Sequence, residues 1–297
     1  MNKTNEHYVS KVHLRGFANN GIIIRNDLIR DNIPKNKSYG ISGVCYRKNL
    51  YEVQDSNGNF INHNYTEDAL EIIESKYGDI KKKILDNVNK SKIDLSITEQ
   101  NDLRNMVSTL FFRNLEAFDA SRQLIAHIAQ QTITATPEEA IILAQSFLLP
   151  QKTQDANCSF KFSVILNLVR EQLKNLKLIV GLSDNMTFIT GDTPIWSIVS
   201  GEDEHGMPVL SVVGFPITPH VILYFANTKY PDGQCLKVLD KDVKISNINI
   251  ARKANQYLLS QTSIDKNDFQ IYKQENQKAR AALELRYTND FPSFFSE

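Results

Sequence analysis

The chain has 297 residues with 34 basic and 34 acidic side chains, so its formal charge is zero and no global field favours nucleic acid or an acidic membrane surface. Its three cysteines, Cys45, Cys158 and Cys235, are odd in number and far apart. That argues against a disulfide framework, a disulfide-linked partner or a zinc knuckle, and fits a reducing, cytoplasmic compartment.

The opening segment, 1–62, reads as a β-rich lead-in. It carries no apolar secretion signal. "GIIIRN" and "SYGISGVCYRKNLYEV" combine β-branched and aromatic residues with Gly and Asn punctuation, and "DSNGN" at 55–59 is a turn because Asn-Gly supplies positive φ angles. A helical block follows over 65–176. From Thr66, read as an N-cap, Leu70, Ile73, Tyr77, Ile80, Ile84 and Val88 advance by three or four residues, the spacing of one buried helix face. Ser96 with Glu99 forms a capping-box pattern that opens a second helix, expected to run unbroken through Leu110 to Ile128. Thr136, Pro137, Glu138 and Glu139 open a third, and a fourth is expected over about 158–175.

The period then changes. "LKLIVGL", "MTFITGDTPIWSIV", "MPVLSVVGFPIT" and "HVILYFA" are short β-type runs separated by turn residues, which predicts an antiparallel sheet of four or five strands. The apolar run 209–226 has the length of a membrane span, but Pro216, Pro219 and His220 make two buried strands the better reading, and no membrane association is expected. "DVKISNINIARKANQYLLS" reads as a helix, "DFQIYK" as a last strand and "ENQKARAALELRY" as a terminal helix. With no repeat and no linker, the expectation is one α+β domain over 1–297: short N-terminal strands, a central bundle of long helices, an antiparallel sheet in the C-terminal half, and C-terminal helices.

The order of these features resembles the family catalogued as domain of unknown function 4238. Its members begin with a His-Tyr-Val-Pro stretch and a Tyr-Leu-Arg-Asn-Phe type stretch, matched here by His7, Tyr8, Val9 and then Leu14, Arg15, Phe17. The family's strand ending in a Ser-Asp-Asn-Pro-like turn resembles Thr190 to Pro194, and its Asn-rich helix resembles "ISNINIARKAN". Ser10, His13 and Gly191 depart from the pattern, while His7, Arg15 and Asp192 keep it. The family name implies no activity, so the residues have to be argued directly.

Arg15 falls among Val12, Leu14 and Phe17 in a short helix, where a guanidinium needs an anionic partner, either a side chain or a ligand phosphate. His7 has the pKa range of a general acid or base, and it equally suits a hydrogen bond that pins the N-terminus. Asp192, just past a strand, is either a functional carboxylate on a rigid sheet or a turn stabiliser. Glu74 sits at the margin of the first helix's apolar stripe, within reach of an Arg or a metal ion. Asn114 lies on the second helix's apolar face with Arg113 at its edge, so this face either bonds another helix or lines a polar pocket.

Two readings follow. In the first, the chain is a hydrolase of nuclease or phosphodiesterase type acting on a phosphodiester or nucleotide-like substrate. His7 is its acid or base, Arg15 and Arg113 stabilise charge, and Asp192 and Glu74 orient groups or bind a divalent cation. In the second, the chain is a binding or regulatory module in which the same residues form a buried polar network. A nucleotide or nucleic acid is the partner class considered in both.

Overall fold

A computed structural model describes residues 5–61, 63–153, 160–204 and 208–289. These form eight α-helices and five sheets, an α+β architecture. In chain order the helices are α1 (Lys11–Leu14), α2 (Tyr65–Asp86), α3 (Ile97–Phe112), α4 (Leu115–Ile133), α5 (Pro137–Leu148), α6 (Val164–Lys174), α7 (Asp240–Lys253) and α8 (Lys266–Asn289). No helix among the described residues is long and apolar enough to cross a membrane. Cys158, where the fourth expected helix was to begin, lies outside the described residues, and α6 starts at Val164 behind the Ser163 cap.

The larger sheet has five strands, in the order Trp196–Glu202, Pro208–Thr218, Val221–Ala226, Lys177–Leu182, Gln234–Lys237. Its last pairing is parallel and the other three are antiparallel. The hairpin expected within 209–226 turns at Pro219 and His220 and buries Phe215, Ile217, Ile222, Leu223 and Phe225. Against this sheet pack α2, through Ile73, Tyr77, Ile80 and Ile84, and α3, through Leu103, Met106, Val107 and Leu110. The lead-in is not a separate layer. Its strand Ile22–Asp27 pairs with Tyr257–Ser260 near the other end of the chain, and Asn5–His7 pairs with Tyr46–Lys48.

Both capping boxes form, Ser96 with Glu99 and Thr136 with Glu139, each closed by reciprocal side-chain bonds. Four expectations are corrected. The first helix is entered at Asn64, in a left-handed conformation, because the Thr66 hydroxyl is buried and accepts from Gln145 (3.1 Å) and Gln151 (2.8 Å). The single long helix from Ser96 is two helices broken at Arg113 and Asn114, whose side chains are drawn to distant partners. The helix expected through "ANQYLLS" stops at Lys253, and its last residues form the strand Tyr257–Ser260. "DFQIYK" is helical: Asp265 accepts from the amides of Asn267 (2.8 Å) and Asp268 (3.0 Å) to start α8, whose Phe269, Tyr272 and Asn276 are buried at three- and four-residue spacing.

One glycine is required by close approach. Gly16, in the turn after α1, faces the Ile217 carbonyl of the sheet and the Lys81 ammonium of α2, and a Cβ there would overlap both. Lys81 in turn donates to the carbonyls of Val12 (3.0 Å) and His13 (3.4 Å), capping α1. Gly16→Ala should therefore destabilise the fold by about 2 kcal/mol or more, because the carbonyl it meets is backbone and cannot rotate away. Urea denaturation checks this; a midpoint equal to that of the wild type would contradict it.

Candidate functional site

The polar centre of the molecule is built around Arg113, the residue on which α3 ends. Its guanidinium is 3 % exposed. Nη1 donates to Glu74 Oε1 of α2 (2.6 Å), Nε to the Tyr51 hydroxyl (3.3 Å), and Nη2 to the backbone carbonyl of His7. Three of the expected site residues, His7, Arg113 and Glu74, therefore meet. The group of His7 that takes part is its carbonyl; the imidazole is buried beside Tyr46, and burial, then Lys11 and Arg113, push its pKa down to about 4. It is neutral at pH 7, with Nε2 buried and without a hydrogen bond.

Beside this network lies a carboxyl group that the sequence reading passed over. Glu6 alternates with His7 on the first strand and is fully buried, its Oε2 accepting from the Tyr51 amide at 2.7 Å. Burial pushes its pKa up to about 8; the Tyr51 amide opposes the shift, and Glu52 and Glu67 add to it. Glu52 is held by the His63 ring (2.8 Å) and the Asn64 amide (2.9 Å). Burial and the neighbouring Glu52 carboxylate both favour the protonated acid of Glu6.

Asp192 forms a second centre. Its Oδ1 accepts from the Asn255 amide (2.9 Å) and its Oδ2 from those of Gln256 (2.7 Å) and Tyr257 (3.0 Å). This capture of three successive amides ends α7 and turns the chain into the strand Tyr257–Ser260. Burial nevertheless lifts the Asp192 pKa to about 6 against these bonds. The N-terminal segment does reach this corner. His13 Nε2 lies 2.9 Å from the hydroxyl of Thr190, two residues before Asp192, and the carboxylate's charge is felt at Tyr8 and Cys45, whose acids burial already raises. The imidazole at the corner is thus that of His13, one of the positions that depart from the family pattern.

Arg15 corrects the expectation of a guanidinium among apolar neighbours. It is exposed, and among the described residues its side chain has no ion-pair or hydrogen-bond partner; its charge is felt by Lys81, whose pKa burial and then Arg15 lower to about 8. Glu74 is engaged by Arg113 and Asp192 by amides, and among the described residues no group of three or more His, Cys, Asp or Glu side chains could hold a metal ion.

Between the two centres opens a cleft of about 440 Å³. Asn114 lines it, its Nδ2 donating to the Thr193 hydroxyl at 2.8 Å, so the polar-pocket alternative describes this residue. Its apolar lining is Leu110 and Phe111 of α3, with Ile195 and Trp196. Its cationic lining is Arg252 and Lys253 at the end of α7 and Arg280 of α8, together with Asn255. Arg280 donates to the Asn255 carbonyl (2.6 Å) and to Glu116 of α4 (2.9 Å), while among the described residues the Lys253 ammonium has no partner. His7, Arg113, Glu74 and Asp192 line neither this cleft nor the other two cavities described, one beside Tyr272 and one beside His127. The sequence signal for the cleft was faint: Lys253 and Arg280 look like ordinary solvated helix residues.

The raised pKa of Glu6 has a measurable consequence. Its folded pKa of about 8 exceeds the ordinary 4.5, so the folded state binds more protons between these values and stability falls as pH rises through that interval. His7, lowered from 6.5 to about 4, has the opposite slope, confined to pH below 6.5. Thermal melts between pH 6.5 and 7.5, below the range in which Lys81, lowered to about 8, adds the opposite slope, report mainly on Glu6: the melting temperature should fall across this window, and Glu6→Gln, a neutral isostere of the protonated acid, should flatten the fall. An unchanged slope would contradict the assignment.

No curated protein and no solved structure matches the chain. Residues 5–263 match the model of the family described as protein of unknown function (DUF4238), and on that match, which takes in the Arg113 network, the Asp192 corner and most of the cleft, the chain belongs to this family.

Proposed function

We propose that the protein binds a small anionic, ring-bearing ligand of nucleotide type in the cleft between α3 and the α7–α8 corner, and that the His7, Arg113 and Glu74 network supports the cleft from behind. The observation that carries this reading is the mixed lining of the cleft. Apolar Leu110, Phe111 and Ile195 suit a planar apolar body, and Lys253 and Arg280 in the same lining suit its negative charge. The volume lies within the range of about 300–1,000 Å³ that small-molecule sites occupy.

Binding is better supported than hydrolysis at the residues first considered. A general acid or base needs access to substrate, and His7 is 6 % exposed with a neutral ring that lines no described cavity. Asp192 is buried and accepts from three backbone amides. These are features of a polar staple, in which satisfied buried groups fix one arrangement of the chain. Cys45 and Cys235 are free thiols, which supports a cytoplasmic setting.

Titration calorimetry of the full chain with AMP tests the reading. Saturable binding is expected, and Lys253→Ala, an exposed position that leaves the core untouched, should weaken it about tenfold, the ~1.4 kcal/mol of one charge-assisted contact. Absence of AMP binding, or binding indifferent to Lys253→Ala, would overturn it.

A further inference from the structure

We propose that the side-chain amide of Asn255 is a donor held in reserve for the ligand's phosphate, beside the Lys253 ammonium. This rests on the nucleotide-binding reading above and concerns which groups of that cleft take the anionic end.

Both arginines of the lining already face a carboxylate. Arg252 Nε donates to Glu275 Oε2 at 2.9 Å, and Arg280 donates to Glu116 at 2.9 Å and to the Asn255 backbone carbonyl at 2.6 Å. Among the described residues the Lys253 ammonium has no partner. Two residues on, Asn255 is the residue of the lining with a buried side-chain polar atom that makes no hydrogen bond, its Nδ2. The contrast lies within one residue: the Asn255 backbone amide is taken by Asp192 at 2.9 Å and its carbonyl by Arg280, while its carboxamide bonds nothing. A buried donor left unanswered is rare in folded proteins and costly, and a bound acceptor removes the cost.

The place of the amide identifies that acceptor. Asn255 is tied to Arg280 through its own carbonyl and follows Lys253 closely in the chain, so its side chain belongs with the cations of the lining and serves the anionic end of the ligand. No hydrogen bond holds the carboxamide, and the Cβ–Cγ torsion of asparagine is soft. A half-turn about it therefore breaks nothing and brings Nδ2 to the place of Oδ1, on the open side of the group. The three oxygens of a phosphate accept several hydrogen bonds at once, so the amide and the ammonium can share one group. The ammonium supplies charge with little direction, and the amide supplies direction without charge.

Titrating the full chain with AMP at several salt concentrations reads the two donors apart. Asn255→Ala should weaken AMP about tenfold, the worth of one hydrogen bond to a charged group, with a salt dependence parallel to that of the wild type because the amide is neutral. Lys253→Ala should weaken it with a shallower salt dependence, because a charge is lost. Asn255→Asp, which puts a carboxylate of the same size in place of the donor, should weaken AMP more than Asn255→Ala does. Without ligand, Asn255→Ala should melt at or above the wild-type temperature, since its side chain answers no other group. If AMP binds and Asn255→Ala binds it as tightly as the wild type, takes on the shallower salt dependence of Lys253→Ala, or melts lower, the assignment falls and the nucleotide-binding reading stands. If the wild type does not bind AMP, both fall.

Discussion

A guanidinium removed from water has to be answered by acceptors, and the way Arg113 is answered organises much of this fold. Its partners come from three separate parts of the chain: the carboxylate of Glu74 on α2, the hydroxyl of Tyr51 and the carbonyl of His7 on the first strand. Leaving such a charge unpaired costs several kcal/mol, so these segments are held together as a unit. The same demand breaks the helix. With Arg113 turned toward Glu74, Asn114 lies between α3 and α4 and bonds Thr193. The place of Asn114 in the lining of the cleft is a product of that break.

Asp192 makes the complementary tie on the other side of the cleft. Its three amide bonds fix the loop after α7, and Asn276 of α8 donates to the carbonyls of Ala251 and Ala254, both at 2.7 Å, to close the same helix end. Lys253, Asn255 and Arg280 are carried on this corner. The Arg113 guanidinium and the Asp192 carboxylate are each bonded within the chain, which fixes the elements on both sides of the cleft. Of the groups first read as catalytic, Arg113, Asp192 and the His7 carbonyl hold the chain together and Arg15 is exposed, while the charged groups that line the cleft come from α4, α7 and α8.

Much of this was legible where the signal is local. The spacing from Leu70 to Ile84, the Ser96–Glu99 and Thr136–Glu139 boxes and the proline-marked hairpin all rest on neighbours in sequence, and all form. The stripe through Leu103, Met106 and Leu110 continued smoothly past residue 113, so nothing local announced a break whose causes lie 39 and 79 residues away in Glu74 and Thr193. "DFQIYK" was misread because aromatic and β-branched residues favour strands until Asp265 caps a helix ahead of them. Among site residues, His7, Glu74, Arg113 and Asp192 stood out as polar groups in apolar or turn settings, which is the signature of buried structural partners as much as of chemistry. Glu6 was hidden because alternation on a three-residue strand is too short to read, and Lys253 and Arg280 because a charge on an exposed helix face is the ordinary case.

The dependence of the fold on the Arg113–Glu74 pair is measured most directly by a double-mutant cycle with Arg113→Met and Glu74→Met, read by urea denaturation. Each single variant should lose about 3–5 kcal/mol, by leaving its partner's charge unanswered, and the double variant should lose clearly less than their sum. Single losses below about 1 kcal/mol that simply add, the behaviour of an exposed pair, would contradict the account.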